Sequence, residues 1–301
     1  MTTAIESSGL GRRYGRKWAL RDCTLRIPAG HVVGLVGPNG AGKTTMLQLA
    51  VGLAAPTTGE VRVLDGLLPG SPAALDAVAF VAQDAALYRT LSVADMLRVG
   101  RALNRRWSAE RAQLRLLDLG ISLRSRVGEL SGGQRAQVAL TLALAKSPQL
   151  LILDEPLAAL DPLARHDFLA ALMAAVAEDG VSVVFSSHVV AELERVCDYM
   201  VVIHSGRVQL AGEVDELTAG HRMLTGPADQ AAAVAGAFPV VRSSRAAAHA
   251  HLLVRTGDPG AAPPGWQSAP VPLEELVLAY MREPTASALP GPAPVRIGGT
   301  A

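Results

Sequence analysis

A phosphate-binding loop between a buried strand and a helix is the feature that most constrains this chain. Residues 37–45 read Gly-Pro-Asn-Gly-Ala-Gly-Lys-Thr-Thr, directly after the apolar run Val32–Val36 and before a helical pattern that starts at Met46. Backbone N–H groups can close around a polyphosphate only where side chains leave room, and a helix N-terminus adds a positive dipole end. The spacing, the strand and the Lys-Thr pair together predict a nucleoside triphosphate site.

Each residue type in the loop has a predicted task. Lys43 is expected to neutralise the terminal phosphates, and the Thr44 hydroxyl is expected to bind Mg²⁺. The full set of predicted loop residues is Gly37, Pro38, Asn39, Gly40, Ala41, Gly42, Lys43, Thr44 and Thr45.

Composition narrows the class of protein. Lys+Arg is 28 and Asp+Glu is 27, so the net charge of +1 gives no basic footprint for nucleic acid. Cys23 and Cys197 lack paired or metal-ligand spacing, which suits a reducing compartment. The N-terminus lacks the pattern of a secretion signal, and no apolar run reaches the ~18 residues that a membrane span needs. Any membrane role is therefore expected to come through a partner chain.

The chain is predicted to contain one large domain, one small domain and a tail. Apolar strand runs alternate with helical patterns through residue 215, apart from a helical subdomain at about 88–147. The first helix of this subdomain is expected to start at Ser92-Val93-Ala94-Asp95. Beyond 215 the composition shifts, and residues 216–283 are expected to form a small α/β domain with helices at 228–237 and 273–281. Residues 284–301 are Pro/Gly/Ala-rich and are predicted to be disordered. No internal repeat is evident, so one nucleotide-binding unit is expected.

Two carboxylates follow a second buried strand. The run Leu150–Leu153 ends in Asp154 and Glu155, at the strand end where α/β sheets bind ligands. Asp154 is expected to hold Mg²⁺, and Glu155 to polarise the attacking water, because phosphoryl transfer depends mainly on positioning and charge stabilisation.

A glycine pair precedes another helix. Leu130-Ser131-Gly132-Gly133-Gln134 can be a capping box, with Ser131 as N-cap and Gln134 at the third helical position, before a helix at 136–145. A capping box does not explain the two glycines, each costing about 1 kcal/mol in a helix relative to alanine. They are expected where a phosphate approaches the backbone closely, and this phosphate is predicted to belong to a nucleotide held by another copy.

In this order the motifs resemble those of the ATP-binding cassettes of ABC transporters. The resemblance covers roughly residues 5–215 and includes Walker A at 37–45, the signature at 130–134, and Walker B at 150–154 with Glu155. It implies an α/β fold: a P-loop NTPase (RecA-like) core with an N-terminal antiparallel β subdomain, an inserted helical subdomain and a small C-terminal α/β extension.

The resemblance also implies roles that isolated residues would not suggest. Tyr14 is expected to stack on adenine, and Gln83 to sense Mg²⁺ and report to the membrane partner. His188 is expected to contact the γ-phosphate, and Asp161 to link the two active sites across a dimer. The implied site comprises catalytic Glu155, His188, Lys43 and Gln83, metal-binding Thr44, Gln83 and Asp154, and nucleotide-binding Tyr14, the loop residues, Ser131, Gly132, Gly133, Gln134 and Asp161.

The implied activity is ATP hydrolysis with ATP and Mg²⁺, by a motor subunit at the cytoplasmic face of the membrane. Its partners are expected to be a second copy or a homologous cassette and a separate transmembrane permease, docking near Gln83 and residues 87–91. The closing segment 273–280 is similar to that of daunorubicin-resistance-type exporters, so export is favoured over import. The alternatives are a non-transport ATPase of the same family acting on ribosomes or DNA, and a scaffold that binds ATP without hydrolysing it.

Some residues depart from the family or invite a structural explanation. Gln137 and Leu142 stand where the family usually carries arginine, and Leu157 where it carries Thr or Ser. His249 and His251 have strand spacing and are expected to lie on a surface strand rather than to bind a metal. Arg12-Arg13 and Arg105-Arg106 are expected to lie on solvated faces, and Arg115 is expected on a polar face of the helical subdomain.

Overall fold

The computed structural model describes residues 2–83, 87–158, 160–258 and 260–283. Contacts divide the chain into two compact units, Met1–Val208 and Gln209–Ala301. The division falls earlier than residue 215, so the domain boundaries inferred from composition stay predictions. The predicted disordered tail at 284–301 lies outside the described residues.

The first unit opens with an antiparallel sheet. Strands β1 (Thr3–Tyr14) and β2 (Lys17–Pro28) form a hairpin, and β4 (Thr58–Val63) pairs with the other edge of β1. The order β2-β1-β4 is the N-terminal β subdomain that the family resemblance implies. Tyr14 ends β1 beside the turn of the hairpin, where its side chain is 47% exposed.

A parallel sheet forms the centre of the first unit. It comprises β3 (Val32–Val36), β5 (Val78–Val81), β6 (Leu150–Leu153), β7 (Ser182–Ser187) and β8 (Tyr199–His204). These strands lie in the order β5-β6-β7-β3-β8. The strands β3, β6 and β7 are buried along their whole length, as expected of parallel strands covered on both faces.

The register of this sheet brings the predicted site together. Leu153 of β6 aligns with Phe185 of β7, and Val36 of β3 aligns with Ser187. Because the strands are parallel, the residues that follow them meet at one edge. The phosphate loop, the acidic pair and His188 all follow these three strands.

Helices flank the sheet. They are α1 (Lys43–Ala50), α2 (Pro72–Ala77), α6 (Pro162–Asp179) and α7 (Val190–Leu193). Helix α6 begins with the Asp161 carboxylate accepting a hydrogen bond from the Ala164 backbone N–H at 2.9 Å, and it ends at Gly180, whose φ of 63° favours glycine.

The inserted segment is helical, as predicted. It contains α3 (Val93–Leu103), α4 (Ala109–Asp118), a short 3₁₀ helix (Val127–Glu129) and α5 (Gly132–Ala145) around its own apolar cluster. The predicted start of α3 is confirmed, since Ser92 and Asp95 form a capping box. The expected start of α5 at 136 was too late, because the Ser131 cap places the glycine pair within the first turn.

Arg115, expected on a polar face of this segment, is half-buried between two of its helices. Its guanidinium donates to Gln137 Oε1 at 2.8 Å and to Thr141 Oγ1 at 3.1 Å, between α4 and α5. An arginine from α4 therefore reaches the region of α5 where Gln137 replaces the family's usual arginine. Burial, with the nearby Arg111 charge, lowers the pKa of Arg115 from its ordinary value.

Strand β9 (Arg207–Glu213) contains the division between the units. The second unit continues with α8 (Val214–Ala219), β10 (His221–Pro227), α9 (Ala231–Ala237), β11 (Val240–Ala246), β12 (His249–Arg255), β13 (Gln267–Pro270) and α10 (Leu273–Arg282). The antiparallel order is β11-β12-β10-β13. One face of the sheet packs Leu224, Leu252 and Val254 with α9 and Trp266.

The predicted C-terminal α/β extension is confirmed, but some of its helices and strands differ from those expected. The helix expected at 228–237 begins at Ala231, and β10, β13 and α8 were not predicted. Within the described parts of both units, no helix has the length and apolar character required to cross a bilayer.

Candidate functional site

A cavity of about 520 Å³ lies at the edge of the parallel sheet. Most of the predicted nucleotide-binding residues line it. The lining comprises Tyr14, Lys17, Ala19, Asn39, Gly40, Ala41, Gly42, Lys43, Thr44, Thr45, Gln83, Glu155 and His188. Residues from five separate segments therefore converge on one opening.

The phosphate loop has no room for larger residues at two of its glycines. A Cβ at Gly37 would lie 2.1 Å from the Ile203 carbonyl oxygen, and one at Gly42 would lie 2.6 Å from that of Ala19. Gly42 also has φ of 109°, where side chains are strained. The loop is thus a cradle of bare backbone ahead of α1, as the sequence predicted.

Lys43 lies inside this cradle. Its Nζ donates to the Gly37 carbonyl oxygen at 2.7 Å and forms an ion pair with Glu155 Oε1 at 3.0 Å. Both side chains are buried, at 5% and 8% exposure. A buried charge needs an opposite charge and hydrogen bonds, and the two residues supply these to each other.

His188 completes a group of three. Its Nδ1 lies 2.8 Å from Glu155 Oε2, so that one carboxylate holds both of the residues expected to contact the terminal phosphates. Burial of this carboxylate raises its pKa, but the hydrogen bonds from His188 and Lys43 outweigh burial, and the net pKa of Glu155 is lowered. Glu155 is therefore an ionised acceptor at neutral pH.

Asp154 is held on the other side of the acidic pair. Its Oδ1 accepts hydrogen bonds from Ser186 Oγ at 2.7 Å and from Thr44 Oγ1 at 3.2 Å. The Glu155 backbone N–H donates to the same Ser186 hydroxyl at 2.8 Å. Glu155 has φ of 47°, an uncommon conformation for a residue other than glycine, and the Ser186 hydroxyl stabilises it.

The oxygen donors fit a hard cation such as Mg²⁺. Thr44 Oγ1 and Asp154 Oδ1 are neighbours, and the exposed Gln83 lines the same cavity. Mg²⁺ is usually bound by one or two carboxylates together with substrate phosphates rather than by a dedicated cage of side chains. The described segments contain no cluster of three His, Cys, Asp or Glu residues able to hold a metal.

Tyr14 is supported by an arginine. The Arg12 guanidinium carbon lies 4.7 Å from the centre of the Tyr14 ring, and Arg12 donates to the Ala55 carbonyl oxygen at 2.8 Å. Arg12 was expected on a solvated face, and the structure adds two contacts, because the guanidinium lies against an aromatic ring and donates to a backbone carbonyl. Tyr14 is thus fixed at the rim of the cavity.

The signature residues do not line this cavity. Ser131 and Gln134 are exposed and form the predicted capping box, with Gln134 N donating to Ser131 Oγ at 3.1 Å. A Cβ at Gly133 would lie 2.7 Å from Ala164 Cβ of α6, so packing within the chain gives a reason for this glycine besides phosphate binding. Asp161 is exposed and caps α6.

Some contributing residues were missed from the sequence. Ser186 and Lys17 were not singled out, although Ser186 ends an apolar run as Asp154 does. His249 and His251 lie on β12 as expected, and His251 Nδ1 is 3.0 Å from Thr225 Oγ1.

The chain is similar to known ATP-binding proteins of ABC transporters. The family profile described as "ABC transporter" matches residues 20–158. Nod factor export ATP-binding protein I of Rhizobium johnstonii is 36% identical over 212 residues, covering 68% of this chain and 67% of that protein. Aliphatic sulfonates import ATP-binding protein SsuB of Pectobacterium atrosepticum is 38% identical over 215 residues, covering 71% and 79%.

A solved structure with a related fold is that of cbiO1 from Clostridium perfringens, described as part of the ABC transporter complex cbiONQ. It superposes with a TM-score of 0.63 at 27% identity, covering 73% of this chain and 92% of that one.

Proposed function

This chain belongs to the family of ABC transporter ATP-binding proteins and is an ATPase, and from that premise we propose that two cassettes enclose ATP and drive a separate transmembrane permease. The second cassette is another copy or a homologue. Each ATP is held between the phosphate loop of one cassette and the signature residues Ser131–Gln134 of the other.

The observation that carries this proposal is the separation of two halves of the site. The cavity contains Lys43, Glu155 and His188, whereas Ser131 and Gln134 are exposed outside it on the same chain. The N-terminus of α5, where Ser131 and Gln134 are exposed, is suited to an anion brought by another molecule. Opposing the two surfaces in a dimer makes both halves contact one nucleotide.

The chemistry follows from the contacts of Glu155. Bound triphosphate competes with the Glu155 carboxylate for Lys43 and His188, because the phosphates carry more negative charge. The ionised carboxylate then accepts a hydrogen bond from the attacking water and orients it toward the γ-phosphate. Lys43 and His188 stabilise the charge that develops on the phosphoryl oxygens.

Thr44, Asp154 and Gln83 are the residues that would hold Mg²⁺. When bound, the ion supplies neutralisation of the phosphate charge. Ser186 keeps Asp154 oriented toward Thr44 through its hydrogen bond.

We also propose export as the direction of transport and the cytoplasmic face of the membrane as the place of action. Support for export comes from the appended α/β unit and from α10, which resembles the closing helix of daunorubicin-resistance-type exporters. The relatives named above include both an exporter and an importer. Permease docking is proposed near Gln83 and Tyr88, which are both exposed.

Replacing Ser131 tests the shared site. In a Glu155→Gln background, ATP should produce dimers that light scattering detects, and adding Ser131→Arg should abolish them while ATP binding by the monomer persists. Ser122→Arg, at another exposed serine of the helical subdomain, is the matched control and should leave dimers intact. Loss of ATP binding by Ser131→Arg alone would contradict the assignment of Ser131 to the other cassette's nucleotide.

Affinity purification tests the partner. The Glu155→Gln chain, purified with ATP from detergent-solubilised membranes, should retain a multi-spanning protein. Recovery of ribosomal proteins or DNA in its place would favour the non-transport alternative and reject the permease.

A further inference from the structure

The first turn of α6 lies where three functional loops meet. It follows Asp161, it contacts the signature helix through Ala164 and Gly133, and it carries Arg165. We infer that Arg165 and Glu192 form a positioning pair, which links the turn before Asp161 to His188, the residue expected to contact the γ-phosphate.

The link is continuous in hydrogen bonds. Arg165 donates to the Leu160 carbonyl oxygen at 3.3 Å and forms an ion pair with Glu192 Oε1 at 2.8 Å. The second carboxylate oxygen of Glu192 accepts from Ser187 Oγ at 2.9 Å. Ser187 is the residue before His188, and Ser187 Oγ also accepts from the Val189 backbone N–H at 3.0 Å. One carboxylate thus joins the segments on both sides of His188 to the start of α6.

Burial makes this pair more than a surface contact. The Glu192 side chain is only 9% exposed, and that of Arg165 is 35% exposed. Removing Arg165 leaves the largely buried Glu192 carboxylate without its compensating charge, whereas pairs in which neither partner is buried contribute little. The pair therefore constrains where the loop containing His188 lies relative to Leu160 and Asp161.

The other end of the same helix provides a contrast. Arg111 of α4 forms a two-point contact with Asp179 at 3.0 and 2.8 Å, and both side chains are substantially exposed, at 43% and 31%. This pair also joins α6 to a neighbouring element, but it touches none of the site residues. It is a matched control for a contact that only holds helices together.

The inference rests on the proposed function, in which Asp161 lies at the contact with the second cassette. A displacement of Asp161 on dimer closure moves the Leu160 carbonyl, and Arg165 and Glu192 pass that displacement to the backbone that carries His188. The pair then affects the hydrolysis step more than nucleotide binding, because neither residue lines the nucleotide cavity.

Steady-state ATPase kinetics of the full-length chain test the pair. Arg165→Gln should lower kcat about tenfold, which is within the usual range for coupling through packed side chains. Its KM for ATP and its thermal midpoint should be close to those of the control variant Arg111→Gln. Arg165→Lys, which keeps the charge, should recover part of the loss. In a His188→Ala background, Arg165→Gln should cause no further decrease if it acts through His188.

Two results would overturn the inference: a wild-type kcat in Arg165→Gln, or a kcat loss that multiplies with that of His188→Ala. If Arg165→Gln does not fold, Glu192→Gln serves in its place, since the amide keeps the shape and removes the charge. A wild-type kcat there would equally reject the pair. Failure of the proposed function is seen separately, as absence of ATP-dependent dimers in Glu155→Gln, which leaves Arg165 and Glu192 unchanged.

Discussion

Each unit of the chain has a polar cluster that includes a histidine, and the two clusters differ in whether they hold a charge. In the first unit, Glu155 is surrounded by Lys43 and His188, and its pKa is lowered despite burial. In the second unit, His221 and Tyr280 hydrogen-bond to each other at 2.9 Å, and both are buried. Burial lowers the pKa of His221 and raises that of Tyr280 to about 12.

The difference shows what each cluster is suited to do. The first stabilises a charge inside the protein and keeps a carboxylate ionised, which is the requirement for a group that accepts a proton or orients water. The second keeps both groups neutral. Leu217 O accepts from His221 Nδ1 at 2.6 Å, so Nε2 is left to accept from the Tyr280 hydroxyl. This cluster joins α8, β10 and α10 and is structural.

Replacing the central carboxylate is the strongest test of this contrast. Glu155→Gln should lower ATP turnover by about 10²–10⁴-fold, the usual contribution of a positioned acid–base group, while ATP binding persists. Phosphate release and equilibrium ATP binding measure the two effects. Glu60→Gln, which changes an exposed carboxylate paired with Arg62, should match wild type. Unchanged turnover in Glu155→Gln would remove Glu155 from its role.

The serine behind the acidic pair should have the next largest effect. Ser186→Ala leaves the buried Glu155 N–H without its acceptor and removes the shorter of the two hydrogen bonds to Asp154 Oδ1. An unsatisfied buried group costs about 1–3 kcal/mol. We expect turnover to fall about tenfold, measured together with the thermal midpoint. Ser8→Ala, at an exposed serine of β1, is the control. A Ser186→Ala chain with normal turnover would show that the left-handed backbone at Glu155 does not need this hydroxyl.

The neutral cluster should make the second unit sensitive to acid. The folded pKa of His221 lies below its ordinary value of 6.5, so the unfolded state binds a proton first as pH falls. Stability conferred by the neutral ring is present above pH 6.5 and is lost as pH falls toward the folded pKa. Hydrogen exchange of β10 and α10 amides in the full-length chain should report this loss.

Two variants sharpen that measurement. Tyr280→Phe should weaken protection at α10 by about 1 kcal/mol at neutral pH, because His221 loses its hydrogen-bond donor. His249→Gln alters an exposed histidine of the same unit and should leave the pH profile unchanged. Equal pH profiles in wild type and His221→Gln would contradict the assignment of the acid sensitivity to His221.

The smallest effect is expected at the rim of the cavity. Arg12→Gln removes the guanidinium from the Tyr14 ring, a contact of about 0.5–1 kcal/mol at exposed sites, and should raise KM for ATP two- to fivefold with kcat unchanged. Arg13→Gln, whose guanidinium lies 5.6 Å from the Trp18 ring, is the control. Equal KM values in Arg12→Gln and wild type would show that Tyr14 is positioned without it.

Local patterns predicted much of the first unit. The strands β3 and β6 have the predicted bounds because continuous apolar runs mark buried parallel strands. The caps of α3 and α5 were also readable, since Ser92 and Ser131 each precede a capping partner by three residues. The phosphate loop, the acidic pair and His188 could be assigned to the same edge of the parallel sheet, because each of them follows a buried apolar strand.

What the sequence left open depends on long-range packing. Nothing local to Glu155 indicates that Lys43 and His188 share its carboxylate, because that contact is set by the register of three strands. Gly133 is explained in part by the close approach of α6, which lies far along the chain. Strand β10 escaped prediction because His221 and Gly226 occupy buried positions that an alternating apolar pattern would fill.

The place of β7 within the parallel sheet affects how durable the site is. It pairs with β6 on one side and β3 on the other, so its end is enclosed by the two strands that deliver the acidic pair and the phosphate loop. Thermal fraying starts at the margins of a fold, and β5 is the edge strand on the β6 side of the sheet. If β5 unfolds first, the contact between Lys43 and Glu155 should remain, so the catalytic residues should keep their positions after this edge strand is lost.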